Sequence, residues 1–86
     1  MDELQQLRQD IDDTDTELLR LFEKRMGLVK RVGDIKAAQA KPVYDRKREE
    51  EIMQKVSEHA SPQLCSYCLS FFRTMMDLSK DYQNEK

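Results

Sequence analysis

Apolar residues recur at alternating three- and four-residue spacing over the first 35 positions of the chain. The seam reads Leu4, Leu7, Ile11, Thr14, Leu18, Leu21, Arg25, Leu28, Val32 and Ile35. This spacing predicts one amphipathic helix from about Glu3 to about Ala38, roughly 54 Å long at ~1.5 Å per residue. The stretch Gln39-Ala40-Lys41-Pro42-Val43 ends it, because proline disfavours helix in the residue before it. A second helix is predicted from about Tyr44 to His59. Ser61-Pro62 then reads as an N-cap followed by proline at the first helical position, starting a third helix from about Pro62 to Tyr82. Period-two alternation is never sustained, so no strand is expected. The fold class is all-α: three helices with a very long first helix, in a single domain covering residues 1–86.

A compact chain of this size has a radius of gyration of roughly 12 Å. A ~54 Å rod would project from such a globule with its apolar seam wet. Two chains whose long helices pack together resolve the conflict, so a homodimer is expected.

Each predicted helix carries polar residues on its apolar face. Arg25 sits in the middle of the first seam, and no acidic residue shares that seam. A buried guanidinium is costly unless an anion meets it, so its partner lies on another helix, another chain or a ligand. Lys36 follows Arg25 by eleven residues and shares its face within about 20°. The two side chains can converge on one small anion. Arg8 is roughly 25 Å away and about 100° around the helix, so it cannot grip the same small ligand as Arg25 of its own chain. Arg8 is either a surface cation or a contribution to a neighbouring subunit's site. In the second helix Asp45, Arg48 and Glu49 begin the stripe that Ile52 and Val56 continue; internal ion pairing at the helix start is the plain alternative. In the third helix Ser79 and Gln83 end the stripe of Leu64, Cys68, Phe72 and Met75 or Met76. Taken alone, they read as the stripe running out into solvent.

Charged residues make up 37% of the chain and hydrophobic residues 38%, with a net charge of −2. General affinity for nucleic acid is not expected. No apolar run approaches ~18 residues, so no membrane span is expected. The acidic start Met1-Asp2-Glu3-Leu4 is unlike a signal peptide, and a cytoplasmic location is expected. Cys65 and Cys68 read CxxC, but they fall inside a helical pattern with only His59 nearby. They are expected to be buried core thiols, with no metal site and no cofactor. No cysteine–histidine or serine–histidine pair suggests a nucleophile. The polar positions instead suit a pocket for a small dianion, able to stabilise charge that shifts during reaction.

The segments Leu7-Arg8-Gln9-Asp10-Ile11-Asp12, Glu23-Lys24-Arg25, Val32-Gly33-Asp34-Ile35-Lys36, Pro42-Val43-Tyr44-Asp45-Arg46-Lys47-Arg48-Glu49 and Ser79-Lys80-Asp81-Tyr82-Gln83 together resemble the all-helical class of chorismate mutase. The resemblance spans nearly the whole chain. It implies an entwined homodimeric helical bundle with two sites. It also implies conversion of chorismate to prephenate in phenylalanine and tyrosine biosynthesis, on the shikimate pathway. By position, Lys36 and Gln83 look like donors to the ether oxygen of the breaking bond. Arg25 and Arg48 look like contacts to the substrate's carboxylates and polar end, and Ser79 like a carboxylate contact. Asp45 and Glu49 look like contacts around the substrate hydroxyl, and Arg8 like the arginine donated across the dimer. With no fused domain in the 86 residues, the reading is of a monofunctional enzyme. The alternatives are an isochorismate pyruvate lyase-like enzyme of the same fold and a non-catalytic helical dimerisation module.

Overall fold

The computed structural model describes residues 2–85. They form α1 (Glu3–Ala38), α2 (Arg46–His59) and α3 (Cys65–Gln83). α1 begins where Asp2 caps it, its carboxylate accepting from the Gln5 backbone N–H at 2.8 Å. Its other end closes before proline acts. Ala40 N–H reaches Ala37 O at 3.1 Å and Lys41 N–H reaches Lys36 O at 2.8 Å. That is a Schellman turn, with Ala40 at φ 56° in the left-handed position glycine usually takes. Pro42 follows two residues later, where the chain has already left the helix.

Two helix starts differ from those the sequence predicts. α2 begins at Arg46 rather than Tyr44, because Asp45 is its N-cap and accepts from the Arg48 N–H at 3.0 Å. α3 begins at Cys65 rather than Pro62. Ser61 O accepts from Leu64 N–H at 3.0 Å, so Pro62 sits inside a turn that precedes the helix. The fixed φ of proline suits the second position of a turn as well as the first position of a helix. Leu64 caps α3 without a side-chain hydrogen bond.

α3 packs against both other helices, while α1 and α2 have no direct packing among the described residues. The C-terminal half of α1 meets the C-terminal half of α3. Lys30 Nζ clips this junction, donating to Tyr82 O at 2.9 Å and Glu85 O at 3.0 Å while lying 4.9 Å from the Tyr82 ring centroid. Both carbonyls lie at the C-terminal end of α3, where a cation is favoured.

The core is thin. Only Met75, Met76, Ser79 and Gly33 are buried among the described residues. The α1 seam is open: Leu4, Leu7, Ile11, Leu18, Leu21, Leu28, Val32 and Ile35 are each 46–58% exposed. The radius of gyration is 16.3 Å and the longest dimension 56 Å. The accessible surface is 7172 Å², against about 5,300 Å² for a compact monomer of this mass. Cys65 and Cys68 are free and half-buried, less enclosed than the core thiols the sequence predicts.

Candidate active site

A cleft of about 310 Å³ opens where the C-terminal halves of α1 and α3 meet the start of α2. That size lies at the lower end of the range for small-molecule sites. Leu28, Val29, Val32, Ile52 and Met76 supply its apolar wall. Seven of the eight residues singled out from the sequence line it: Arg25 and Lys36 from α1, Asp45, Arg48 and Glu49 from the start of α2, and Ser79 and Gln83 from α3. Arg8 lies outside it, exposed on the free N-terminal half of α1.

The cleft divides its charges unevenly. Lys36 Nζ stands 3.6 Å from Asp45 Oδ2 and donates to Val43 O at 3.3 Å. Lys80, which the sequence reading did not single out, stands 3.1 Å from Glu49 Oε2. Each carboxylate thus has its own lysine. The internal pairing envisaged for the start of α2 forms only in part: Arg46 pairs with Glu50 and Arg48 with Glu51 along the helix, whereas Asp45 binds a backbone N–H and Lys36, and Glu49 reaches across to α3. Arg48 turns to Glu51 at the rim, at 3.4 Å. Arg25 has no ion pair among the described residues. Its Nη1 donates to Ser79 Oγ at 3.0 Å.

Arg25, Arg48, Lys36 and Lys80 against Asp45 and Glu49 leave a surplus of two positive charges in the cleft, on a chain whose net charge is −2. Burial, and then the like charge of Arg48, lower the Arg25 pKa from its ordinary value. Arginine still keeps its proton. Two cations that disfavour one another in a concave, partly apolar site are relieved by an anion between them. Asp45 is held below the ordinary carboxylate pKa, first by the Arg48 N–H it accepts and also by Lys36.

Ser79 is buried, not running out into solvent as its place at the stripe's end suggests. Its hydroxyl faces Met75 O at 2.8 Å, in the backward bond common to serines in helices, and accepts from Arg25. Gln83 is half-buried, and its Nε2 donates to Val29 O at 2.7 Å. It can approach α1 this closely because Gly33 has no side chain. A Cβ built on Gly33 would stand 3.2 Å from both Cβ and Cγ of Gln83. The second hydrogen of the Gln83 amide remains for a ligand. Lys80 could have been suspected from sequence, since it lies four residues after Met76 and so on the same face.

A sequence model of the chorismate mutase type II family matches residues 7–84. The chain belongs to that family. Its fold is shared with the chorismate mutase (form II) of Thermus thermophilus, at a TM-score of 0.94 and 28% identity, covering 99% of this chain and 98% of that one. It is 45% identical over 56 residues to the bifunctional chorismate mutase/prephenate dehydratase of Aquifex aeolicus, a stretch covering 65% of this chain and 16% of that protein. It is 43% identical over 54 residues to the T-protein of Haemophilus influenzae, covering 63% of this chain and 14% of that one. The chain therefore aligns with only a small part of the length of these two relatives. The chorismate mutase type II architecture accounts for the all-helical form and the long α1. Among the described residues no helix is long and apolar enough to cross a membrane, and no group of three or more histidines, cysteines or acids is placed to hold a metal ion.

Proposed function

We propose that this protein is a chorismate mutase, rearranging chorismate to prephenate in the cleft. The observation that carries the reading is the pair Arg25 and Arg48, without an ion pair inside the cleft, in a site with two surplus positive charges and membership of this family. A dicarboxylate supplies the two missing negative charges. Arg25, oriented by Ser79, and Arg48 take the carboxylates and polar end of the substrate. Asp45 and Glu49 face its hydroxyl. Lys36 and Gln83 donate to the ether oxygen as its bond breaks. The reaction is pericyclic, so it needs no nucleophile and no general base. The protein's contribution is to hold the reactive chair-like conformer and to aim donors at the oxygen that becomes negative.

The site belongs to a homodimer. The surface excess of roughly 1,900 Å² over a compact monomer is of the size an obligate interface covers. The exposed leucine seam of α1 supplies a suitable apolar face. Thr14, the polar member of that seam, already bonds Asp10 O at 2.8 Å, so its hydroxyl can enter such an interface satisfied. In the dimer Arg8 of one chain completes the cleft of the other.

The deciding experiment mixes the purified protein with chorismate and follows the loss of its ultraviolet absorbance, with the product identified. Prephenate is the expected product. Release of pyruvate from isochorismate, without prephenate formation, would assign a lyase. No turnover of either compound would leave only a dimerisation module.

Gly33→Ala tests the seat of Gln83. The added methyl presses on Gln83 at 3.2 Å, so the amide is pushed off its place beside Val29. A kcat loss of about tenfold or more is expected with a smaller change in KM, since a donor effective in the transition state is displaced. A Gly33→Ala enzyme with unchanged kcat would mean that the position of Gln83 does not matter.

A further inference from the structure

Lys80 is the cleft cation for which the mutase reading gives no role, yet it is the most completely fixed. Its ammonium stands 3.1 Å from Glu49 Oε2 and 3.5 Å from Asp77 Oδ1, and lies 4.9 Å from the centroid of the Tyr44 ring. Those groups come from α2, from α3 itself and from the loop before α2. Tyr44 and Asp77 thus hold the ammonium from two sides, and the third side meets Glu49.

Glu49 depends on it. Its side chain is only 17% exposed, and Lys80 is its one ion-pair partner among the described residues. The other cleft cations point elsewhere: Lys36 to Asp45, Arg48 to Glu51, Arg25 to Ser79. A half-buried carboxylate without a cation is costly and repels a dianionic ligand. With Lys80 present, Oε2 is engaged and Oε1 is left for a ligand hydroxyl. An exposed ion pair would add little, but this one is largely shielded.

We propose that Lys80 is a positioning residue of the site: it fixes Glu49 on the cleft wall and cancels its charge, so that the two arginines face a dicarboxylate substrate without a competing anion. The proposal rests on the mutase reading and deepens it. The Lys80 pKa is raised, chiefly by its hydrogen bond to Glu49, in keeping with an ammonium held by that carboxylate.

The test is a double-mutant cycle read in steady-state kinetics: wild type, Lys80→Met, Lys80→Arg, Glu49→Gln and the double variant Lys80→Met/Glu49→Gln. Lys80→Met is expected to raise KM about tenfold with kcat within about threefold, because ground-state binding of the dianion is what suffers. Lys80→Arg keeps the charge and restores KM to within about threefold of wild type. In the Glu49→Gln background Lys80→Met adds nothing beyond about twofold, since no carboxylate remains to be fixed or cancelled. Circular dichroism checks each fold, and Lys80→Gln replaces Lys80→Met should the latter not fold. If Lys80→Met costs the same factor with and without Glu49, Lys80 acts directly on the ligand or on the fold, and the proposal is overturned. An unchanged KM in Lys80→Met overturns it too. A wild type that makes no prephenate fails the mutase reading itself, before any variant is compared. An active wild type with an insensitive Lys80 fails this proposal alone.

Discussion

Gln83→Glu is expected to lose about two to three orders of magnitude in kcat at pH 8 and to regain activity as the pH falls. The Gln83 amide is neutral at every ordinary pH and always has hydrogens to give. One goes to Val29 O at 2.7 Å, and the other is assigned to the ether oxygen of chorismate. A carboxylate at the same place can only accept. It would meet the Val29 carbonyl and an oxygen growing negative, both acceptors. Removing one preorganised donor of this kind costs ~10²–10³ in kcat, and replacing it with a negative charge gives no relief. Protonation restores a donor. The ordinary glutamate pKa is about 4.3, and the Val29 carbonyl favours the protonated form, so activity climbs towards acid over the range where wild type is nearly flat. Profiles of kcat for both proteins between about pH 4.5 and 8 check this, spanning the approach to that pKa. A Gln83→Glu enzyme with full activity at the alkaline end would remove Gln83 from the role given to it.

The second large effect concerns Arg8. Arg8→Ala and Arg25→Ala are each expected to lose about two orders of magnitude in kcat/KM, the scale of a lost charge-assisted contact in a desolvated site. Mixed under conditions of subunit exchange, the two inactive proteins should recover. One site of each heterodimer has Arg25 from one chain and Arg8 from the other, both intact, while the opposite site lacks both. Random exchange of equal amounts then restores about a quarter of the wild-type sites. The motivation is geometric: Arg8 is exposed on the free half of α1, outside the cleft of its own chain. No recovery, with exchange demonstrated by a mass-tagged subunit, would sink the shared site.

The long helix was legible because its signal is repeated: the seam of α1 extends over about nine turns, and both ends fall at Glu3 and Ala38 as the periodicity predicts. The starts of α2 and α3 were less legible because single residues there have two uses. Asp45 serves as both cap and lysine partner. Pro62 fits a turn as well as a helix start, and only the Ser61–Leu64 hydrogen bond decides between them. The cleft residues could be named because cations on an apolar face are conspicuous in one helix. Lys80 shares the face of Met76 on α3, but what makes it part of the site is Glu49, thirty-one positions away on a different helix. Ser79 looked like an edge residue because periodicity does not tell which end of a stripe is covered. The buried end of α3 is the one lying on Arg25 and Met26.

The clip between α1 and the last turn of α3 also sets an order in time. Arg25 and Ser79, and Val29 and Gln83, are each separated by 54 positions, and Lys30 and Tyr82 by 52. At a synthesis rate of ~5–20 residues per second, the ribosome needs on the order of several seconds to pass from one member of each pair to the other. During that interval α1 already exists as a helix-forming segment with its leucine stripe uncovered, and the helix that packs on it has not been made. The cleft thus cannot close until the last turn of α3 has been made. A ribosome stalled before Ser79 would hold an amphipathic rod whose apolar seam has no intramolecular partner, the kind of exposed surface that chaperones engage.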